Sequence, residues 1–124
     1  MYSKEVIKHF KNPKNMGFLK DPDGVGEIGN PQCGDILKLY IKVKNNKIKD
    51  IKFETMGCAV AIAVSSVITE MAKNKTIEQA LELTEENIAE KLGGLPQFKM
   101  HCSNLAAQAL KKAIKNYRKR DLSR

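Results

Sequence analysis

Two alternating apolar segments, joined by an Asn-Asn pair within residues 36 to 56, constrain the fold of this chain more than any other feature. In the first segment every second residue is apolar, as in a strand with one buried face. Asn45 and Asn46 follow, and asparagine tolerates the positive φ angles of a tight hairpin turn. A phase slip between Ile48 and Ile51 in the second segment indicates a β-bulge. The predicted buried side chains are Leu37, Leu39, Ile41, Val43, Ile48, Ile51, Phe53 and Met56.

A long apolar helix is predicted directly after this hairpin. Residues 58 to 72 read CAVAIAVSSVITEMA, which is too long and too rich in alanine for a third strand. Since apolar residues surround the whole helical projection, we expect this helix to be buried on most sides. Gly57 ends the strand before it.

Capping residues mark shorter helices on both sides of this core. Ser3 is placed to cap a first helix that ends at Asn12-Pro13, with Val6, Ile7 and Phe10 as its apolar face. Further on, threonines are placed to cap two short helices, the first running through Leu83 and the second ending at a Gly-Gly pair. These caps and stops are Thr76, Thr84 and Gly93-Gly94.

The last helix is predicted to begin near Cys102 or Ser103 and to bury one stripe at i, i+4 spacing. That stripe consists of Leu105, Ala106, Ala109, Leu110, Ala113, Ile114 and Tyr117.

Earlier, residues 12 to 31 are dense in Gly and Pro and predict a loop with a short edge strand near residues 25 to 28. Together the patterns predict an α+β fold, a small antiparallel three-stranded sheet packed on one side by helices, as a two-layer single domain over residues 1–124. Residues 121–124 are expected to fray.

The chain has 124 residues and a formal net charge of +8. Its amino terminus has no apolar signal-peptide core and its apolar runs are too short for a bilayer, so we expect a cytoplasmic protein with no membrane partner.

Residues 111 to 124 carry seven Lys or Arg and one Asp. With 6% aromatic residues and no Trp, the chain offers little for stacking bases. An acidic protein surface is therefore a better partner for this tail than nucleic acid.

Three cysteines lie at the ends of predicted elements. Cys33 precedes the first long strand, Cys58 follows the second, and Cys102 opens the last helix. Because the two strands form a hairpin, we expect Cys33 and Cys58 to lie side by side at one end of the sheet. Cys58 and Cys102 sit at helix amino termini, where the helix dipole favours thiolate. An odd number of scattered cysteines argues for thiol or metal chemistry rather than disulfides.

Asp35 and His101 lie within two positions of a cysteine and complete a possible ligand set. Three cysteines with one Asp or His supply four ligands, the number that tetrahedral zinc or a small iron–sulfur cluster requires. No close pair of cysteines of the zinc-finger kind is present. Taken singly, each residue also has an ordinary structural role, as a buried thiol, a turn carboxylate or a helix-start histidine.

Four segments resemble the NifU-like, IscU-type family of iron–sulfur cluster assembly scaffolds. They are YSKEVIKHFKNPKNMG, CGDILKLYIKV, GCAVAIAVSSVITEMAKNK and LPQFKMHCSNLAAQALKKAI, and they cover nearly the entire chain in the family's order. The resemblance implies that the protein is an assembly scaffold rather than a turnover enzyme, and that it holds a transient 2Fe-2S cluster on Cys33, Cys58 and Cys102. It implies either Asp35 or His101 as the fourth ligand. It also implies that the cluster-free site often binds zinc.

The resemblance implies partners as well: a cysteine desulfurase that supplies sulfur, a ferredoxin-like electron donor, an iron donor and acceptor apoproteins. The segment at residues 95 to 99 reads LPQFK, whereas the family usually has LPPVK. Gln97 and Phe98 replace Pro and Val there, which puts recognition by a dedicated Hsp70-type chaperone in question.

Specific roles follow from the chemistry of these side chains. A carboxylate is a harder, protonatable ligand than a thiolate, so we expect Asp35 to make the cluster labile. Cys102 is the expected first sulfur acceptor, because the helix start, Lys99 and His101 would all favour its thiolate.

Two other functions are compatible with the same residues. One is a zinc-dependent sulfur acceptor that works with a cysteine desulfurase. The other is a Cys-His hydrolase using Cys102 and His101, which is disfavoured because adjacent residues at a helix start seldom point at each other and no oxyanion motif is visible.

Overall fold

The protein is described by a computed structural model that covers residues 2 to 30 and 35 to 122, with the backbone alone at Asn30, Asp121 and Leu122. Its three strands form one antiparallel sheet in the order β1-β2-β3. In chain order the elements are α1 Lys4–Lys11, β1 Gly24–Asn30, β2 Asp35–Lys44, β3 Lys47–Met56, α2 Ala59–Ala72, α3 Ile77–Leu81, α4 Glu85–Lys91, a 3-10 turn Gln97–Lys99 and α5 Met100–Leu122. The predicted α+β fold with a three-stranded antiparallel sheet is confirmed.

The β2–β3 hairpin has the predicted turn and the predicted bulge. Asn45 and Asn46 have φ angles of 54° and 63°, which fit the twist of a tight hairpin. Lys42 pairs with Asp50 and Val43 pairs with Ile48, so one residue of β3 is left unpaired between them. This extra residue keeps Ile48 and Ile51 on the same buried face although they are three positions apart.

Met56 was predicted to be buried, and this prediction is wrong, since its side chain is 71% exposed. After the bulge, Ile51 and Phe53 set the inward face of β3 at period two. Met56 lies three positions beyond Phe53 and therefore points to solvent. It is paired there with Ile36, which is also exposed.

The helices cover one face of the sheet. In α2, ten of the fourteen residues are buried, as the sequence predicted. The predicted stripe of α5 is buried from Leu105 to Ile114, with Tyr117 at its partly buried edge. α5 begins at Met100, two residues before the earlier of the two predicted starts, because the 3-10 turn leads directly into it. α3 ends at Leu81, two residues before the predicted end.

The first helix has the predicted cap and a different buried face. The hydroxyl of Ser3 accepts a hydrogen bond from the backbone N–H of Val6 at 3.2 Å. Ile7 and Phe10 were predicted to be buried with Val6, but each is 44% exposed. Since α1 is two turns long and packs mainly on α2, it buries a narrow strip of Val6 and His9. His9 fixes this contact through Nδ1, which lies 2.7 Å from the Ser66 hydroxyl oxygen on α2.

The edge strand β1 lies directly on α5. A β-carbon on Gly24 would be 2.3 Å from the Ala113 carbonyl oxygen, and one on Gly26 would be 2.2 Å from that of Ala109. Both distances are far below van der Waals contact, so this close approach requires glycine at both positions.

Side chains of α5 hydrogen-bond the carbonyl groups along β1 and the residues before it. The three donors occur at i, i+4 spacing, which places them on one side of the helix. They are Lys112 to Glu27 O at 3.0 Å, Asn116 to Val25 O at 2.6 Å and Arg120 to Pro22 O at 2.7 Å. These contacts satisfy polar groups of an edge strand that would otherwise be open to pairing with another chain.

The predicted domain limits, residues 1 and 124, lie outside the described residues and stay a prediction. The fraying of residues 121–124 also stays a prediction. Of these four residues the structure describes Asp121 and Leu122, which form the end of α5. Within the described residues, no helix has the length and apolarity needed to cross a membrane.

Candidate metal centre

Three polar side chains converge where β2 starts and where α2 and α5 begin. Asp35 is the first residue of β2, Cys58 is the N-cap of α2, and Cys102 lies in the first turn of α5. The hairpin pairing of Ile36 with Met56 brings the start of β2 beside the residues that precede α2. One ligand atom from each of Asp35, Cys58 and Cys102 lies within 4.8 Å of the other two.

Cys33, the remaining predicted cysteine ligand, lies outside the described residues. Its expected position beside Cys58 therefore stays a prediction.

The Asp35 carboxylate is held against a glycine. Asp35 is 4% exposed, and its Oδ2 lies 3.7 Å from Sγ of Cys102, which donates to it. A β-carbon on Gly57 would lie 2.6 Å from Oδ1 of Asp35. A β-carbon at this position would also lie 2.8 Å from Cβ of Ala61, so a side chain there would force the Asp35 carboxylate to move. In the sequence Gly57 indicates only the end of a strand, although its position directly before Cys58 is a signal for a role in the site.

Cys102 is buried and its thiol is not activated in this structure. Its side chain is inaccessible to solvent. Burial, together with the negative charges of Cys58 and Asp35, raises the pKa of the Cys102 thiol to about 12. The expectation that the helix start favours thiolate at Cys102 is therefore wrong in this structure, because burial and the neighbouring negative charges disfavour the charged form.

Lys99 lies beside the Cys58 thiol. Its Nζ is 3.6 Å from Sγ of Cys58, and the charge of Cys58 raises the pKa of the Lys99 ammonium group. Lys99 lowers the pKa of Cys102 as well, but less than burial and the neighbouring anions raise it. The expected stabilisation of a Cys102 thiolate by Lys99 is thus present and outweighed. Cys58 is half-buried, so its sulfur is the more accessible of the two described thiols.

His101 contacts Cys102 and has its ring fixed by the turn before α5. Nδ1 lies 3.1 Å from the carbonyl oxygen of Phe98, and Nε2 lies 3.5 Å from Sγ of Cys102. A carbonyl oxygen can only accept, so Nδ1 carries the proton and the neutral ring has its lone pair on Nε2. The expectation that these adjacent side chains would not point at each other is wrong, because the Phe98 carbonyl group turns the ring toward Cys102.

The four donors suit a metal with mixed ligands. Two sulfurs, one carboxylate oxygen and one imidazole nitrogen match the chemistry of zinc or of an iron–sulfur unit. His101 shows the arrangement usual for a metal-binding histidine, in which the other ring nitrogen donates to a carbonyl group. It is not part of the three-residue group within 4.8 Å, so Asp35 is the non-sulfur donor more closely associated with both described thiols.

Comparison with known proteins gives a consistent result. The model of the family described as NifU-like N terminal domain matches residues 1–124. The chain is 63% identical over 117 residues to iron-sulfur cluster assembly scaffold protein IscU 1 of Archaeoglobus fulgidus, covering 94% of this chain and 76% of that protein. It is 52% identical over 118 residues to the scaffold protein IscU of Aquifex aeolicus, covering 94% and 75%.

A solved structure is similar over almost the same extent. It is described as a putative iron-sulfur cluster assembly scaffold protein for the SUF system from Fervidobacterium islandicum. The TM-score is 0.76 at 30% identity, and the match covers 91% of this chain and 96% of that one.

Proposed function

The chain belongs to the family of NifU-like N-terminal domains, and from that premise we propose that it is a scaffold on which iron–sulfur clusters are assembled and from which they are passed on. The observation that carries the proposal is the convergence of Asp35, Cys58 and Cys102 within 4.8 Å. It occurs in a chain 63% identical to a relative that is named as such a scaffold.

The cargo proposed for this site is a transient 2Fe-2S cluster. The ligands are Cys33, Cys58, Cys102 and one of Asp35 and His101. The proximity of Asp35 to both described thiols supports Asp35 as the fourth ligand, with Nε2 of His101 available to replace it.

A carboxylate ligand gives the scaffold a way to release its cargo. Protonation of a carboxylate weakens its bond to iron, whereas a thiolate ligand would hold the cluster as in an electron carrier. Asp35 is buried with Oδ1 against Gly57, so Oδ2 lies beside the Cys102 thiol before cargo arrives. We therefore assign to Asp35 the lability of the cluster.

Cys102 is the proposed sulfur acceptor, and a cysteine desulfurase the proposed donor. In the transfer step the Cys102 thiolate attacks the outer sulfur of the donor's persulfide, a new S–S bond forms, and the donor leaves as a thiolate. Because the Cys102 pKa is raised to about 12 in the metal-free fold, the step requires a partner or metal that supplies positive charge or uncovers the thiol.

The remaining partners follow from the balance of atoms and electrons. The outer sulfur of the persulfide formed on Cys102 is two electrons more oxidised than sulfide. It must therefore gain two electrons, for which we propose a ferredoxin-like electron donor. Iron comes from an iron donor, and the finished cluster passes to acceptor apoproteins. The proposed role is assembly and transfer rather than enzymatic turnover. An Hsp70-type chaperone is not included, because LPQFK departs from the usual recognition segment.

A zinc-dependent sulfur acceptor is the alternative. The donor set of Asp35, Cys58, Cys102 and His101 also suits tetrahedral zinc, which we propose for the cluster-free form. The hydrolase alternative receives less support, since a buried thiol with a raised pKa is the opposite of an activated nucleophile.

Anaerobic reconstitution with iron, a cysteine desulfurase, free cysteine and a reductant tests the proposal. We expect the absorption spectrum of a 2Fe-2S cluster, its loss in Cys58→Ala and Cys102→Ala, and its transfer to an added apo-ferredoxin. If wild-type protein never develops the spectrum while its zinc-loaded form accepts sulfur, the alternative is correct and the scaffold proposal is wrong.

A further inference from the structure

Two lysine-rich turns meet at the end of the sheet opposite the metal centre. One is the β2–β3 turn and the other joins α2 to α3. Backbone hydrogen bonds hold them together, from Ile48 N to Lys75 O at 2.9 Å and from Asn74 N to Ile48 O at 2.8 Å. We call the lysines of these turns the basic platform: Lys44, Lys47, Lys49, Lys73 and Lys75.

The five positive charges of the basic platform outnumber the acidic groups beside them, although Glu78 accepts from Asn46 Nδ2 in the hairpin turn at 2.6 Å and pairs with Arg118. All five side chains are exposed, and Lys44 pairs directly opposite Lys47 in the hairpin, where like charges are destabilising. Lys73 has one acidic neighbour, Asp50, at 3.9 Å. Across the described ranges, no ion pair is formed by the other four. The fold therefore places several positive charges close together on one surface, which attracts an anionic partner.

The platform also has a concave centre. A cleft of about 440 Å³ is lined by Lys44, Lys47 and Lys49 together with Asn45 and Asn74. Ammonium groups only donate hydrogen bonds, and the carboxamides add further donors. Such a cleft has the chemistry of a site for several carboxylate or phosphate oxygens.

We propose that the basic platform docks an acidic segment of a partner protein, one rich in Asp and Glu. Protein is favoured over nucleic acid because the platform has neither arginine forks for phosphates nor aromatic side chains for bases. It is favoured over a membrane because the cleft presents no apolar side chain for insertion into lipid. The choice of a protein also rests on the proposed scaffold function, in which all partners are proteins.

The location of the platform makes it distinct from the site of chemistry. Asp35 and Lys44 are the two ends of β2, so the platform and the metal centre are separated by nine residue steps along the strand, or about 30 Å. A partner docked on the platform leaves the metal centre accessible. The scaffold would therefore retain this partner while sulfur, iron or an acceptor protein engages the other end.

Binding of a short labelled peptide of alternating Asp and Glu tests the proposal. We compare wild type with the triple variant Lys44→Gln, Lys47→Gln, Lys49→Gln. The matched control, Lys4→Gln, Lys8→Gln, Lys91→Gln, removes the same charge from exposed lysines on helices, outside both the platform and the basic tail. Peptide affinity is expected to fall about tenfold in the platform variant and much less in the control. Amide NMR shifts caused by the peptide should centre on residues 44 to 49 and 73 to 75.

The same titrations with duplex DNA and with anionic lipid vesicles complete the test. Equal losses in the two triple variants would show net charge alone and overturn the proposal. So would DNA or vesicle binding that depends on the platform more than peptide binding does. The platform variant should still assemble a cluster in the reconstitution assay, so failure of the docking proposal is separable from failure of the scaffold function.

Discussion

The carboxylate of Asp35 lies so close to Gly57 that a β-carbon on the glycine would be 2.6 Å from Oδ1. This contact joins the first residue of β2 to the residue after β3, and it determines where a ligand of the metal centre points. A glycine outside the donor set is thus part of the site.

Gly57→Ala should displace the Asp35 carboxylate and reproduce the effect of Asp35→Ala. We expect both variants to retain a reconstituted cluster longer and to transfer it about tenfold more slowly to an apo-ferredoxin, since each loses the protonatable carboxylate that makes the cluster labile. The double variant should be no slower than either single one, because the two changes act through one carboxylate. Transfer is followed by absorption and circular dichroism.

Gly29→Ala is the matched control, because a β-carbon there would make only ordinary contact, 3.7 Å from Ile36 Cγ1. Transfer at the wild-type rate in Gly57→Ala would show that Asp35 keeps its position or has no part in release.

His101 should be found in the tautomer protonated at Nδ1, since the Phe98 carbonyl oxygen accepts from that nitrogen. Long-range proton–nitrogen NMR distinguishes the two ring nitrogens, and His9 serves as the internal reference. On addition of zinc, the Nε2 resonance should shift and His101→Ala should bind zinc about tenfold more weakly. An unchanged Nε2 resonance in zinc-loaded protein would mean that His101 is not a ligand.

Alkylation should distinguish the two described thiols. Burial and the raised pKa of Cys102 keep it protonated, so iodoacetamide should modify the half-buried Cys58 first at pH 8. The pKa of Cys102 is raised to about 12, so the rate of its alkylation should continue to rise with pH above 9. The alkylation rate of an ordinary thiol reaches a plateau there, because most of it is already thiolate. Peptide mass spectrometry gives the rate at each cysteine.

The Cys58→Ala variant provides the control for that pH profile. Removing the Cys58 charge should lower the pKa of Cys102 and bring its alkylation to lower pH. Modification of Cys102 as fast as Cys58 at pH 8 would contradict the buried, protonated state.

The contact between β1 and α5 should be sensitive to a single methyl group. Gly26→Ala would place a β-carbon 2.2 Å from the Ala109 carbonyl oxygen, so we expect a loss of about 3 kcal/mol in the free energy of unfolding. Asn116→Ala, which removes the bond to Val25 O, should cost about 1 kcal/mol. Urea unfolding measures both, with Gly29→Ala expected near wild type. Equal stabilities for Gly26→Ala and Gly29→Ala would rule out the close approach.

Sequence patterns were sufficient to predict those features of the fold that depend only on neighbouring residues along the chain. Alternation at period two predicted β2 and β3, and the slip between Ile48 and Ile51 predicted the bulge, because each residue's face follows from its neighbours along the chain. Met56 was wrongly predicted to be buried, because strict alternation from the buried Phe53 places a residue three positions later on the exposed face. Ile7 and Phe10 were misplaced because an apolar stripe does not say how wide the neighbouring surface is.

The sequence by itself determined the elements, the family resemblance and the residue types gathered at the ends of those elements. The tertiary structure decided the chemical state of those residues. Cys102 at a helix start reads as an activated thiol in sequence, yet burial beside Cys58 and Asp35 raises its pKa. The ring of His101 points at Cys102 because of the Phe98 carbonyl group, and Asp35 is seated by Gly57. Hydration, charge and orientation depend on distances through space between segments remote in the chain, and these exist only once the chain has folded.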